Sequence, residues 1–185
     1  MSKKLGRSFW FLWVIANVLG NSLLPILIWQ DPFDLRSRIF LNEIFHGVGI
    51  AIAQSVMLRN RFAKEGWWLP LTLFGWSAGL MIVSIMPALS IRLIQDLPAL
   101  SILMIDFAIL GTSVGICQWQ LLKSFRDGGV WLFASTTALS LSALGLYFGY
   151  KFKSPILASI LQGSIYGAIT GFAAIKVLRS PKVKK

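Results

Sequence analysis

Six long apolar runs, parted by short polar breaks, leave this chain one broad way to fold. The runs cover residues 8–29, 39–58, 67–86, 98–122, 130–150 and 155–178. Each has roughly the 20 residues that a helix needs to cross a bilayer. The breaks carry turn residues and charge: Asp31-Pro32, Arg59 to Gly66, Arg92 to Pro98, Phe125 to Gly129, and Lys151 to Pro155. Strands of a membrane barrel would alternate apolar and polar residues over about ten positions. These runs are continuous. The expected fold class is an all-α integral membrane protein, a single domain over 1–185 with six transmembrane helices.

Composition excludes the competing classes. The chain is 56% apolar and 14% charged, with a mean hydropathy of +0.70. A soluble globule of 185 residues cannot hide that much apolar surface, and a disordered chain needs low hydrophobicity. Cys117 is the only cysteine, so there is no disulfide scaffold. The first run follows Lys3, Lys4 and Arg7, as a signal peptide would. Its apolar stretch is longer than the usual 7–15 residues and no small-residue cleavage site follows, so a retained helix is expected.

Charge gives the orientation. Of 18 basic residues, thirteen lie at the N-terminus (Lys3, Lys4, Arg7), in the second loop (Arg59, Arg61, Lys64), in the fourth loop (Lys123, Arg126) and at the C-terminal end (Lys176, Arg179, Lys182, Lys184, Lys185). Positive loops stay inside, so both termini are expected in the cytoplasm. Trp10, Trp13, Trp67, Trp68, Trp119 and Trp131 then belong to the cytoplasmic interface. The net charge of +11 reads as this topology signal and as attraction to membrane lipids, with no nucleic acid partner.

An internal repeat organises the runs. A gapless offset of 64 carries Gln54, Leu58 and Arg59 onto Gln118, Leu122 and Lys123, and Trp67 onto Trp131. An offset of 56 extends the match into the sixth run. Helices two, four and six thus carry the small-residue pairs Gly47/Ala51, Gly111/Gly115 and Gly167/Gly171. Small residues let helices approach closely in lipid. The expectation is three pseudo-repeated hairpins, with helices two, four and six as an inner cluster.

The alignment also places Asn42, Asp106 and Gln162 at one position, five residues before the aligned glycine. Glu43 adjoins Asn42, and His46 lies one turn on, sharing its face. Asn17 and Asn21 share a face of the first helix, and Pro25 would kink it. The candidate pocket is Asn21, Asn42, Glu43, His46, Asp106 and Gln162, in the non-cytoplasmic half. Intramembrane acids mark sites or pathways; the plainer reading is that these residues end the helices at the headgroups.

Glu43-x-x-His46 is half of a di-iron carboxylate motif, but the single His leaves the ligand count short. A single metal on His46, Glu43 and Asp106, or a haem or pigment on His46, stays open beside a plain Glu43–His46 hydrogen bond. No metal site is assigned. Gln54, Gln118 and Gln120 are positioned to bond between helices. With no nucleophile–base pair or phosphate loop, the chain reads as non-catalytic.

The segment Gly-x-Gly-Ile-Ala-Ile-Ala-Gln54-x-x-x-Leu58-Arg59, followed by Trp67-Trp68 and Phe74-Gly75-Trp76-x-x-Gly79, resembles a group of bacterial multi-pass membrane proteins, cyanobacterial ones especially. The resemblance implies a bacterial cytoplasmic or thylakoid membrane and a repeat fold, with no activity attached.

Two functions fit. The first is a non-catalytic accessory or assembly subunit of a larger membrane complex, with other membrane subunits as partners. The second is a small-solute binding or transport module. Six helices, 20.6 kDa and a polar pocket resemble the substrate-binding subunits of energy-coupling-factor transporters. Ala16-x-x-x-Gly20 is similar to the small-residue motif by which those subunits dock their transport partner. A homo-oligomeric channel would need a ring-forming selectivity motif, which the sequence lacks.

Overall fold

Among the described residues, each apolar run contains one α-helix. The computed structural model describes residues 5–22, 35–62, 64–94 and 98–181, without the side chains of 35–42, 86–94 and 150. The helices are α1 (Arg7–Ser22), α2 (Leu35–Leu58), α3 (Trp68–Ile94), α4 (Ala99–Leu122), α5 (Val130–Lys151) and α6 (Pro155–Arg179). A 3-10 turn, Glu65–Trp67, leads into α3. No strand occurs among the described residues.

Four stretches are long and apolar enough to cross a membrane: Glu65–Ile85, Ala99–Leu122, Val130–Gly149 and Pro155–Arg179. The described apolar part of α2, Glu43–Leu58, is shorter, and α1 has 16 residues. The rest of the expected first span, with Pro25 and Trp29, lies outside the described residues. Helix ends depart from the expected spans where hydropathy and hydrogen bonding part company. α3 runs to Ile94, through Pro87 and past the expected end at Met86. α2 starts at Leu35 rather than Ile39.

Local chemistry explains the clean ends. Ser154 caps α6 by accepting from the Leu157 N–H at 3.2 Å, and Pro155 takes the first helical position, where its missing N–H costs nothing. After α2 the chain turns at Asn60, whose φ is 62°, a left-handed conformation that Asn tolerates. In the α4–α5 connection a Cβ on Gly128 would collide with the Leu122 carbonyl, so the turn needs glycine.

The helices pack on their sequence neighbours, and α6 packs on α1, closing a ring. This corrects the expected inner cluster of helices two, four and six. The small residues of those helices admit odd-numbered neighbours instead. A Cβ on Gly47 would meet Trp76 of α3 at 2.6 Å. Gly111 faces Ser135 and Thr136, and Gly115 faces Leu132 and Ser135, all on α5. Gly167 faces Val14 and Asn17, and Gly171 faces Trp10 and Trp13, on α1. Ala51 is fully buried. A small residue shortens the approach to whatever lies opposite; in this ring that is an adjacent helix.

The ends of the ring are distinct. Arg179 donates to the Leu5 carbonyl, and the Arg126 N–H to the Pro181 carbonyl at 3.0 Å. Phe62 packs edge-on against Trp68 and Phe125. The start of α1, the end of α6 and the α2–α3 and α4–α5 connections therefore share one end, here the termini end.

Candidate functional site: a polar interior inside an apolar shell

Phe11, Phe74, Phe133 and Phe172 stand exposed on the outside of the ring. Its interior holds Asn17, Asn21, Glu43, His46, Gln54 and Gln118, all buried. These polar groups are set among a buried apolar core that includes Ile50, Leu110, Val114 and Val177, while large aromatic rings face outward.

Toward the termini end the polar side chains bind one another. Gln54 accepts at Oε1 from the Trp68 indole N–H (3.1 Å) and from Gln118 Nε2 (3.3 Å), and donates from Nε2 to Asn17 Oδ1 (3.0 Å). Gln118 donates to Thr72 Oγ1 (2.8 Å) and accepts from the Trp131 N–H (2.8 Å). Trp13 donates to Thr170 Oγ1 at 3.0 Å. Trp131 meets Trp68 and Trp13 edge to face, at centroid distances of 5.2 and 6.2 Å. Three helix pairs, α2–α3, α4–α5 and α6–α1, each carry one tryptophan tied to a polar side chain of the partner helix. Every amide hydrogen-bonding direction in Gln118 that this layer uses crosses between helices, so the layer joins the ring at its centre.

Two expectations change here. Trp13, Trp68 and Trp131, expected with exposed rings at the cytoplasmic interface, are buried parts of this layer toward the termini end. And Trp68, not Trp67, is the counterpart of Trp131: Trp67 is 63% exposed, Trp68 1%. The gapless offset misplaces the pair by one residue, because the Gln54-to-Trp68 separation is 14 and the Gln118-to-Trp131 separation 13. Gln120 stays outside the layer and accepts from Lys123 Nζ at the surface.

Beyond this layer the interior polar groups are less matched. Glu43 Oε1 and His46 Nδ1 lie 3.2 Å apart, one turn apart on α2, at 4% and 2% exposure. Asn21 donates to the Ser159 carbonyl at 2.9 Å, tying α1 to α6. Tyr166 OH lies beside Gln54 and Ser135 without hydrogen-bonding geometry to either. Gln162 Oε1, Ser135 Oγ, Tyr166 OH and Trp76 Nε1 have no partner among the described residues. A buried polar group without a partner costs about 1–3 kcal/mol, which a hydrogen bond to buried water or another polar molecule offsets.

The expected pocket is brought together only in part. Asn21, Glu43, His46 and Gln162 are interior. Asp106 is partly exposed and bonds to no described residue. The side chain of Asn42 lies outside the described residues. At position 162 α5 packs closely on α6: a Cβ on Gly145 would meet the Gln162 backbone nitrogen at 2.5 Å. No group of three His, Cys, Asp or Glu side chains that could hold a metal occurs among the described residues, so Asp106 does not join Glu43 and His46 as a ligand set.

Sequence reasoning missed Thr72, Ser135, Tyr166 and Thr170, and Trp76, expected as a partner-facing residue of an outer helix, is buried. The two expected offsets align Tyr166 with His46 through Leu110, and all three are buried. A Cβ on Gly49 of α2 would fall on the Gly20 carbonyl, so Gly20 serves the α1–α2 crossing.

No family model, curated protein or solved structure matches the chain.

Proposed function

We propose that the chain is a non-catalytic integral membrane protein of six spans, built as three pseudo-repeated hairpins with both termini in the cytoplasm, whose polar interior binds a small polar solute. The observation that carries this reading is the unpartnered interior set, Gln162 Oε1, Ser135 Oγ, Tyr166 OH and Trp76 Nε1, inside an apolar shell. The interlocked Trp–Gln layer closes the termini end, so a solute would enter from the opposite, non-cytoplasmic side. Glu43, His46, Asn21 and Gln162 supply a carboxyl–imidazole pair and amide groups for its recognition.

The second reading is an accessory or assembly subunit. Its supporting observation is the row of aromatic side chains on the outer faces, Phe74, Phe133 and Phe172, which offer apolar surface to a partner helix as well as to lipid. Extraction from the native membrane in mild detergent separates the two. Mass spectra of a lone chain carrying one small molecule support the solute reading. A stoichiometric protein partner supports the subunit reading, and a Soret-type absorbance band would place a haem or pigment at His46.

A further inference from the structure

The termini end carries a groove of about 700 Å3 between the start of α1 and the end of α6. Arg7 and Arg179 are its charged members, and Trp10, Phe11, Phe172 and Ile175 form its apolar wall. Both arginines are exposed, and neither forms a salt bridge with a carboxylate among the described residues. The wall is held in place from within. Trp10 donates its indole N–H to the Ala168 carbonyl at 2.9 Å and packs on Phe172 with ring centroids 5.2 Å apart. Arg179 donates to the Leu5 carbonyl, which fixes its guanidinium beside the start of α1.

We propose that this groove binds one anionic diacyl phospholipid, its phosphate on Arg7 and Arg179 and an acyl chain along Trp10, Phe11, Phe172 and Ile175. The guanidinium fork matches phosphate oxygens in geometry as well as charge. The apolar wall is what a free phosphate would leave uncovered and an acyl chain would fill. Anionic headgroups concentrate at the cytoplasmic leaflet, where the basic end of the bundle is read to lie. The proposal rests on the membrane reading given above.

The test uses the full chain in vesicles of phosphatidylglycerol and phosphatidylcholine, followed by detergent extraction and native mass spectrometry. The expected result is one retained phosphatidylglycerol per chain in preference to phosphatidylcholine. Arg7→Gln, whose side chain makes no hydrogen bond among the described residues, lowers that retention about tenfold, and Arg7→Gln/Arg179→Gln lowers it further. Lys64→Gln/Lys123→Gln, at the same end but outside the groove, leaves it unchanged. Equal retention of both lipids, equal loss in the control pair, or displacement of the lipid by excess inorganic phosphate would overturn the proposal. A chain that alkaline carbonate strips from the vesicles would instead overturn the membrane reading beneath it.

Discussion

Gln118 donates from Nε2 to Oε1 of Gln54 at 3.3 Å, although the two stand 64 residues apart. Each also accepts from the tryptophan that opens the next helix, Trp68 for Gln54 and Trp131 for Gln118. Gln118→Leu would strand the Trp131 indole N–H and remove a donor from Thr72. The expected cost is about 1–3 kcal/mol, read as a lower unfolding midpoint in detergent. Gln54→Leu should behave alike. The double variant should lose less than the sum, by about 0.6–1.7 kcal/mol. Strict additivity would show that the two amides do not act together.

Neighbouring tryptophans give a sharper contrast. Trp68→Phe deletes the indole donor to Gln54 in a fully buried site, while Trp67→Phe changes an exposed ring. Thermal unfolding should fall by several degrees for the first and hardly move for the second. Equal effects would favour the gapless alignment, in which Trp67 holds the place of Trp131.

What could be read from the sequence follows from which forces act locally. Apolar length gave six helices in order, because each run must satisfy its own backbone. Helix neighbours were not legible: Gly111 states that something approaches closely, but not that Ser135 and Thr136 do. Gln54 and Gln118 were visible as interhelical candidates from the repeat, yet their tryptophan donors were assigned to the boundary, since an amphipathic ring suits either place. Ser135 was hidden because it is one of five hydroxyl residues between 135 and 142, and nothing local says which of them faces inward. Asp106 drew attention as an acid, and burial falls on Glu43 instead.

The crossing of α1 and α2 leaves no room for a side chain. A Cβ at Gly49 would fall on the Gly20 carbonyl, which is backbone and has nowhere to rotate. Gly49→Ala should cost about 1–3 kcal/mol or more and reduce the yield of folded protein. Gly66→Ala, where nothing lies within 4 Å, should be tolerated. Size-exclusion profiles of the two variants in one detergent check this directly.

Topology can be tested in intact cells. In a Cys117→Ala background, a membrane-impermeant thiol reagent added outside should label Lys153→Cys. It should not label Lys64→Cys or Arg126→Cys until the cells are opened. Labelling at all three from outside would contradict the six-span reading with cytoplasmic termini.

The most direct test of the polar interior is native mass spectrometry of the chain and two variants, Glu43→Gln and Gln162→Leu, extracted side by side from the native membrane. Gln162→Leu removes an oxygen without a partner among the described residues, so the folded yield and unfolding midpoint should hold. The account predicts one retained small molecule on the parent chain and its loss from both variants at unchanged yield. The same small molecule retained by all three proteins, or none on the parent chain, would contradict it.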